Sequence, residues 1–425
     1  RGGEAERAAT WYANAALGAA GRGDSAAVVR CAAKALESGA DLERRYDLHL
    51  ARADALGYLG RRDEQGRELA AALHAASGEG QRAWALIRQV HLLCRLGRAA
   101  DAVAAADAAI VAAQGSGDTD ALAQAHGQRS LALASSGRTG EAREALRDAL
   151  CERSDVSPRT RAFLENQRGL LAVARGDPGE ARDAFRAAAE LEREAGDVRR
   201  AAGDEANLAD IYNRVGAYAE AEGALRAALE VARRVGHRST EAYALCNLGY
   251  ALTMLGRPAD ALQSLAEAAT RAAALHDARL GLAVRVYRAR ALLATGDAVA
   301  AAVEADAAVA DAEPLGAAEL RVTALTIAAS ARLAAGKATG ALSSSAAALA
   351  LRDRMRSVSE DEIEVFLTHA EALSACGRSE ESRAILSRGR ERLTQIASRI
   401  EDPEWQARVL RDVPAHRRLL ELAGR

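Results

Sequence analysis

The chain has 425 residues, 49% of them hydrophobic but only 3% aromatic, and a formal net charge of −2. That balance excludes a strongly basic nucleic-acid binder, and no apolar stretch approaches the roughly 20 residues of a membrane-spanning helix. Ala, Leu, Arg and Glu dominate, residues that lose little side-chain freedom in a helix. Alternating β-branched runs that would mark strands are missing, so the expectation is an all-α fold.

Lys34 and Lys337 are the only lysines, an arginine bias that genome base composition explains. The five cysteines, at positions 31, 94, 151, 246 and 376, are odd in number and widely spaced, with no CxxC. They read as buried free thiols in a reducing compartment, and the expected location is cytoplasmic. The chain opens on Arg1 rather than Met, which suits a piece of a larger protein, so a missing leader carries little weight.

In chain order, the dominant signal is a Gly followed five residues later by a small residue. It runs Gly97/Ala102, Gly137/Ala142, Gly176/Ala181, Gly216/Ala221, Gly256/Ala261, Gly296/Ala301 and Gly336/Ala341, in steps of 40, 39, 40, 40, 40 and 40. Weaker copies are Gly21/Ala26 and Gly60 upstream and Gly377 downstream, with steps of 39, 37 and 41. Each unit reads as two helices around its Gly. Leu248, Ala251, Leu252 and Leu255 form one helical stripe before Gly256; Ala261, Leu262, Leu265 and Ala268 form another after it. Gly256 permits the left-handed residue that ends a helix, and Pro258 suits the first turn of the next. Gly176-Asp177-Pro178 repeats this, with Asp177 placed to cap. Breaks between hairpins are expected at Gly115-Ser116-Gly117-Asp118, Gly196-Asp197 and Gly236-His237, and another helix start at Ser157-Pro158. A hairpin of this kind cannot bury both apolar stripes alone, so neighbours must stack, with first helices forming the inner surface. From Thr394 the register is lost. Asp402-Pro403-Glu404 reads as the start of a further helix, and Val409, Leu410, Leu419, Leu420 and Leu422 as cover for the last hairpin.

These units resemble tetratricopeptide repeats. Gly169, Gly176, Ala181, Phe185 and Ala188 match that family's pattern, as do Gly249, Gly256, Ala261, Leu265 and Ala268, and Ala209, Gly216, Ala221, Leu225 and Ala228. The departure is length, 40 residues against a usual period of about 34. The resemblance implies a right-handed α-α superhelix of about ten hairpins over residues 1–393, with capping helices over 394–425. The tail, Ile400-Glu401-Asp402-Pro403-Glu404, Asp412-Val413-Pro414 and Arg417-Arg418-Leu419-Leu420, and the opening Arg1-Gly2-Gly3-Glu4, Ala8-Ala9, Trp11-Tyr12 are similar to the ends of the repeat region in large bacterial signalling proteins. There the repeats follow a Ser/Thr kinase domain and an ATPase domain.

The sequence offers little chemistry. Gly336-Lys337 lacks the rest of a nucleotide-binding loop, no HExxH joins the eight scattered histidines, and no nucleophile elbow is present. Arg22-Gly23-Asp24 reads as a turn before a helix, and the acidic run Glu360, Asp361, Glu362, Glu364 as a solvated helix face. No enzyme activity, cofactor, metal or small-molecule substrate is expected. One pattern stands out. Nine residues before successive turn glycines stand Gln128, Gln167, Asn207 and Asn247. A side-chain amide donates and accepts at once and can pair with an extended peptide backbone, a use the resemblance also implies. The residues equally allow each amide to bond a neighbouring helix end. Helical spacing sets Asp210, Asn213, Arg214, Tyr243, Tyr250 and Thr253 near that ladder. Tyr and Arg are frequent interface anchors, although tyrosines also fill seams between helices. The expected function is a scaffold or regulatory module that binds a protein or peptide. The alternative is the sensor arm of a multidomain kinase with an ATPase domain encoded upstream.

Overall fold

The computed structural model describes residues 2–21, 24–151, 156–355 and 361–424. Among them are 22 helices and no strand. The all-α array of stacked hairpins expected from the glycine register is the fold observed. Arg22 and Gly23 of the Arg-Gly-Asp tripeptide lie outside the described residues, as does Glu360.

The chain forms two compact units, one of Arg1–Leu171, Ala184–Asp204 and Glu230–Thr240, the other of Ala172–Asp183, Glu205–Leu229 and Glu241–Arg425. The first holds the hairpins α1 (Gly2–Gly21) with α2 (Ser25–Glu37), α3 (Leu42–Tyr58) with α4 (Arg62–Ala75), α5 (Glu79–Arg95) with α6 (Ala99–Ser116), and α7 (Thr119–Ser135) with α8 (Thr139–Cys151). Helices α9 (Pro158–Arg175), α10 (Pro178–Glu194), α11 (Val198–Arg214), α12 (Tyr218–Val235) and α13 (Arg238–Met254) supply residues to both units. The second continues with α14 (Pro258–Ala274), α15 (Ala278–Ala294), α16 (Ala298–Ala312), α17 (Ala318–Ala334), α18 (Ala338–Arg354), α19 (Glu362–Ala375), α20 (Ser379–Ala397), α21 (Pro403–Arg411) and α22 (Pro414–Ala423).

The forty-residue step has a simple origin. Helices α13, α14 and α15 have 17 residues each, and three-residue turns join them. The middle residue of each turn is left-handed. Gly60, Gly97, Gly137, Gly176, Gly216, Gly256, Gly296, Gly336 and Gly377 all have φ between 71° and 90°. Gly21 departs from the register. It is the last residue of α1, with no left-handed φ. A second series lies between hairpins at Gly117, Gly196, Gly236 and Gly316, and at position 276 the same conformation falls to His276, φ 49°. The third turn residue begins the next helix. Where it is Asp it caps, as when Asp177, Asp277 and Asp297 each accept from a backbone N–H three residues on at 3.0, 3.0 and 2.9 Å. Where it is Arg it pairs instead with an acid three residues on: Arg61 with Glu64, Arg98 with Asp101, Arg138 with Glu141, Arg257 with Asp260 and Arg378 with Glu381. The acid offsets a cation placed at the positive end of the helix dipole.

Packing within a hairpin depends on residues without a side chain. A Cβ on Gly169 would lie 2.6 Å from Phe185, and one on Gly249 would collide with Leu265. Ala221, Ala261, Leu225 and Leu265 are fully buried. Burying each such Leu is worth about 1.5–3 kcal/mol.

The C-terminal residues pack within the second unit. Helix α20 runs on to Ala397. Asp402 caps α21 through the N–H groups of Glu404 and Trp405. Leu419 is fully buried and lies against Gly389. Trp405 sits between the Arg182 guanidinium, 4.6 Å from its ring centroid, and Tyr212, at 5.8 Å. Arg182 pairs with Asp402 at 2.9 Å, Arg408 with Glu220 at 2.6 Å, and Arg399 donates to the Arg175 carbonyl at 3.0 Å.

Two readings from the sequence need correction. The acidic run is no solvated face: Glu362 is buried and pairs with Arg352 and Arg392, and Glu364 pairs with Arg290. The thiols are free, but only Cys246 is buried; Cys31, Cys94 and Cys376 are half-buried. The Cys151 side chain lies outside the described residues.

Candidate functional site

Eight of the residues singled out in the sequence fall in the second unit, on α11 and α13. On α11, Asn207, Asp210 and Arg214 follow at helical spacing, and Arg214 Nε donates to Asp210 Oδ2 at 2.9 Å. On α13, Tyr243, Asn247 and Tyr250 do the same. The two helices meet where Asn213 Nδ2 donates to the Asn247 main-chain oxygen at 3.3 Å. Asn213 and Asn247 are buried, 1% and 4% exposed, and Asn213 Oδ1 and Asn247 Nδ2 lack hydrogen-bond partners. Asn207, Arg214 and Tyr243 are half-buried and open to solvent. Thr253 turns back on its own helix, donating to the Gly249 carbonyl at 2.8 Å.

Tyr250 is covered by the second unit itself. Its ring lies 5.0 Å from that of Tyr287 and 6.4 Å from that of Tyr218. The Arg290 guanidinium stands 5.7 Å from the ring centroid. Asp361 and Glu364, at the start of α19, grip Arg290 at 2.8 Å each. The Tyr250 hydroxyl reaches Asp361 Oδ1 at 3.5 Å. Burial raises the Glu364 pKa, and Arg290 opposes that rise. Tyr218, Tyr287 and Arg290 were not proposed as site residues from the sequence, and Asp361 and Glu364 were read there only as part of a solvated acidic run. The one available signal was the Tyr287/Arg290 pair at helical spacing, in the repeat where the amide register ends.

The first unit holds the other two amides. Gln128 is 5% exposed, and its Oε1 is buried without a partner. Gln167 donates to Asn166 Oδ1 at 3.3 Å, and Asn166 donates to Asp204 at 2.5 Å. An unforeseen amide, Gln124, donates to the Thr160 hydroxyl at 2.8 Å. Among the described residues, no group of three His, Cys, Asp or Glu side chains is placed to hold a metal ion, and no helix is long and apolar enough to cross a membrane.

Residues 197–274, which span α11 to α14, match the tetratricopeptide repeat family, and the hairpins on either side repeat their helix–turn–helix geometry. No curated protein matches it in sequence. Among solved structures, it is similar to a Rap protein complexed with competence and sporulation factor, at 15% identity and TM-score 0.57, over 81% of this chain and 99% of that one. It is also similar to the apo form of the quorum sensor NprR from B. thuringiensis, at 13% identity and TM-score 0.51, over 78% and 98%. A third likeness is to a signal transduction ATPase with numerous domains, with a tetratricopeptide repeat sensor, from Pyrococcus horikoshii. It has 15% identity and TM-score 0.52, over 77% of this chain and 50% of that one, so the match spans half of the ATPase. At these identities the likeness is one of fold.

Proposed function

We propose that the chain is a binding module for a polypeptide segment, taken up on the face that α11 and α13 form in the second unit. The observation that carries this is the set of Asn207, Arg214 and Tyr243, polar side chains on α11 and α13 that border the Asn213–Asn247 seam within reach of solvent. A side-chain amide such as that of Asn207 donates and accepts at once and can pair with a peptide backbone. The Rap protein of similar fold is complexed with a factor, and NprR is a quorum sensor, which supports the same class of task here. The partner is a protein or peptide, the setting a cytoplasmic bacterial signalling protein, and the chain itself contributes binding and no catalysis.

The test is selection of peptides on the immobilised chain, followed by titration of the selected peptide against wild type and Asn207→Ala/Asn247→Ala. The expected result is an affinity at least about tenfold weaker in the variant, with an unchanged melting temperature. Equal affinities with a large drop in melting temperature assign the amides to structure and overturn the reading.

A second reading has its own support in the repeat sensor of the Pyrococcus horikoshii ATPase. In it the repeats are the sensor arm of a kinase and ATPase encoded before Arg1. Sequencing the gene upstream of Arg1 decides it; a start codon within a few residues removes this reading.

A further inference from the structure

Within the second unit, the C-terminal residues return to the last turn of α11, the turn that carries Asp210, Asn213 and Arg214. Trp405 of α21 packs against Tyr212, with ring centroids 5.8 Å apart, and the Arg182 guanidinium of α10 lies over the indole at 4.6 Å. The same guanidinium pairs with Asp402 at 2.9 Å. Arg408 reaches Glu220, in the first turn of α12, at 2.6 Å. Arg399 donates to the carbonyl of Arg175, at the end of α9, at 3.0 Å.

The turn between α21 and α22 closes on the turn between α11 and α12. A Cβ on Gly216 would stand 3.1 Å from the Asp412 backbone and 3.2 Å from the Val413 nitrogen, whereas one on Gly137, Gly256, Gly296 or Gly336 would meet nothing within 4 Å. On either side of Gly216, Val215 and Ala217 are buried in one apolar cluster with Val409 and Leu419. The chain's own end thus covers the turn that follows the proposed binding face. Tyr212 is the chain neighbour of Asn213, which holds α13 through the Asn247 main-chain oxygen at 3.3 Å, and Arg214 is held to Asp210 at 2.9 Å. A helical turn moves as a body, so a shift at Tyr212 or Val215 carries Asn213 and Arg214 with it. Helix α21 itself is lightly held. Val409 is the one buried residue among its nine, and its ion pairs to α10 and α12 join partly exposed side chains. Such pairs are individually weak and are screened by salt. A lightly seated segment that bears on the site through a stiff helix end is placed to act as a latch.

We propose that residues 399–413 are a latch that positions the last turn of α11, so that closure of the latch and binding of a peptide at α11 and α13 strengthen each other. Trp405 and Arg408 are its positioning residues. The proposal rests on the reading of the chain as a peptide-binding module and adds the regulation of that site.

The experiment uses the full chain and a peptide selected on it, titrated against wild type, Trp405→Ala/Arg408→Gln and Trp405→Phe/Arg408→Lys. The first variant removes the ring and the charge, and is expected to bind at least about fivefold more weakly. The second keeps both, and should bind within about twofold of wild type. Hydrogen–deuterium exchange of α21 should slow when the peptide binds wild type, since coupling between two sites is reciprocal. If Trp405→Ala/Arg408→Gln does not fold, Arg408→Gln alone, at a partly exposed side chain, and the exchange of α21 in wild type decide the matter. Unchanged affinity in the first variant, or an α21 whose exchange ignores the peptide, overturns the proposal and leaves these contacts to folding alone. Peptides sensitive to Asn207→Ala/Asn247→Ala but indifferent to the latch changes sink this proposal and leave the module reading standing. Peptides indifferent to the asparagine changes, or a selection that yields none, sink the module reading and this proposal with it.

Discussion

His276 holds a left-handed turn, at φ 49°, where its counterparts forty residues away on either side are Gly236 and Gly316. A side chain in that conformation costs about 1–2 kcal/mol, and the greater freedom of glycine in the unfolded chain returns part of it. His276→Gly should therefore raise stability by about 0.5–1 kcal/mol, read as a higher urea midpoint. Lys337 is the weak cap of the series. It makes no side-chain cap bond, and three residues on stands Gly340 where Arg257 has Asp260. Lys337→Asp should stabilise by about 1 kcal/mol through a cap bond and a favourable dipole. Asn247→Ala is expected to be nearly neutral for folding, because the bond at that seam uses its main-chain oxygen and the side-chain donor has no partner to lose.

At the scale of the helix, the contacts that matter are those glycine and alanine permit. Ala261→Leu, at a fully buried position, should cost about 1–3 kcal/mol by overpacking, measurable by denaturant unfolding. The tie between α15 and α19 should behave differently. Arg290→Met leaves Asp361 and Glu364 together without their cation and should cost about 3–5 kcal/mol. Glu364→Gln keeps a hydrogen-bonding group against Arg290 and should cost much less. The hairpins were legible in the sequence because a left-handed turn selects glycine and a close helix crossing selects Gly or Ala; both leave periodic marks. His276 left none, since a strained turn at an exposed position is carried by any residue the fold can hold there. The surroundings of Tyr250 were illegible for another reason. Spacing along α13 sets which residues share a face, but Asp361 comes from 111 residues away, and its acidic neighbours look like any solvated run. The amide at position 247 was visible; that its donor is buried and unpartnered required the packing of α11.

For the whole molecule, acid should weaken the fold through the first unit. Burial and the nearby Arg199 hold His237 at a pKa of about 4, against about 6.5 in an unfolded chain. Between those values the unfolded chain binds more protons, so stability falls as pH drops from about 6.5 toward 4. Glu192 and Glu364, whose pKa values burial raises, act in the opposite sense, so the comparison to make is between proteins. His237→Gln should lose less melting temperature between pH 7 and 5 than wild type. The account as a whole turns on whether α11 and α13 offer their amides to another chain. The most direct measurement is hydrogen–deuterium exchange of the full chain with and without a selected peptide. The expected result is slowed exchange within α11 and α13, lost in Asn207→Ala/Asn247→Ala. Protection confined to other helices, with these two unchanged, would contradict it.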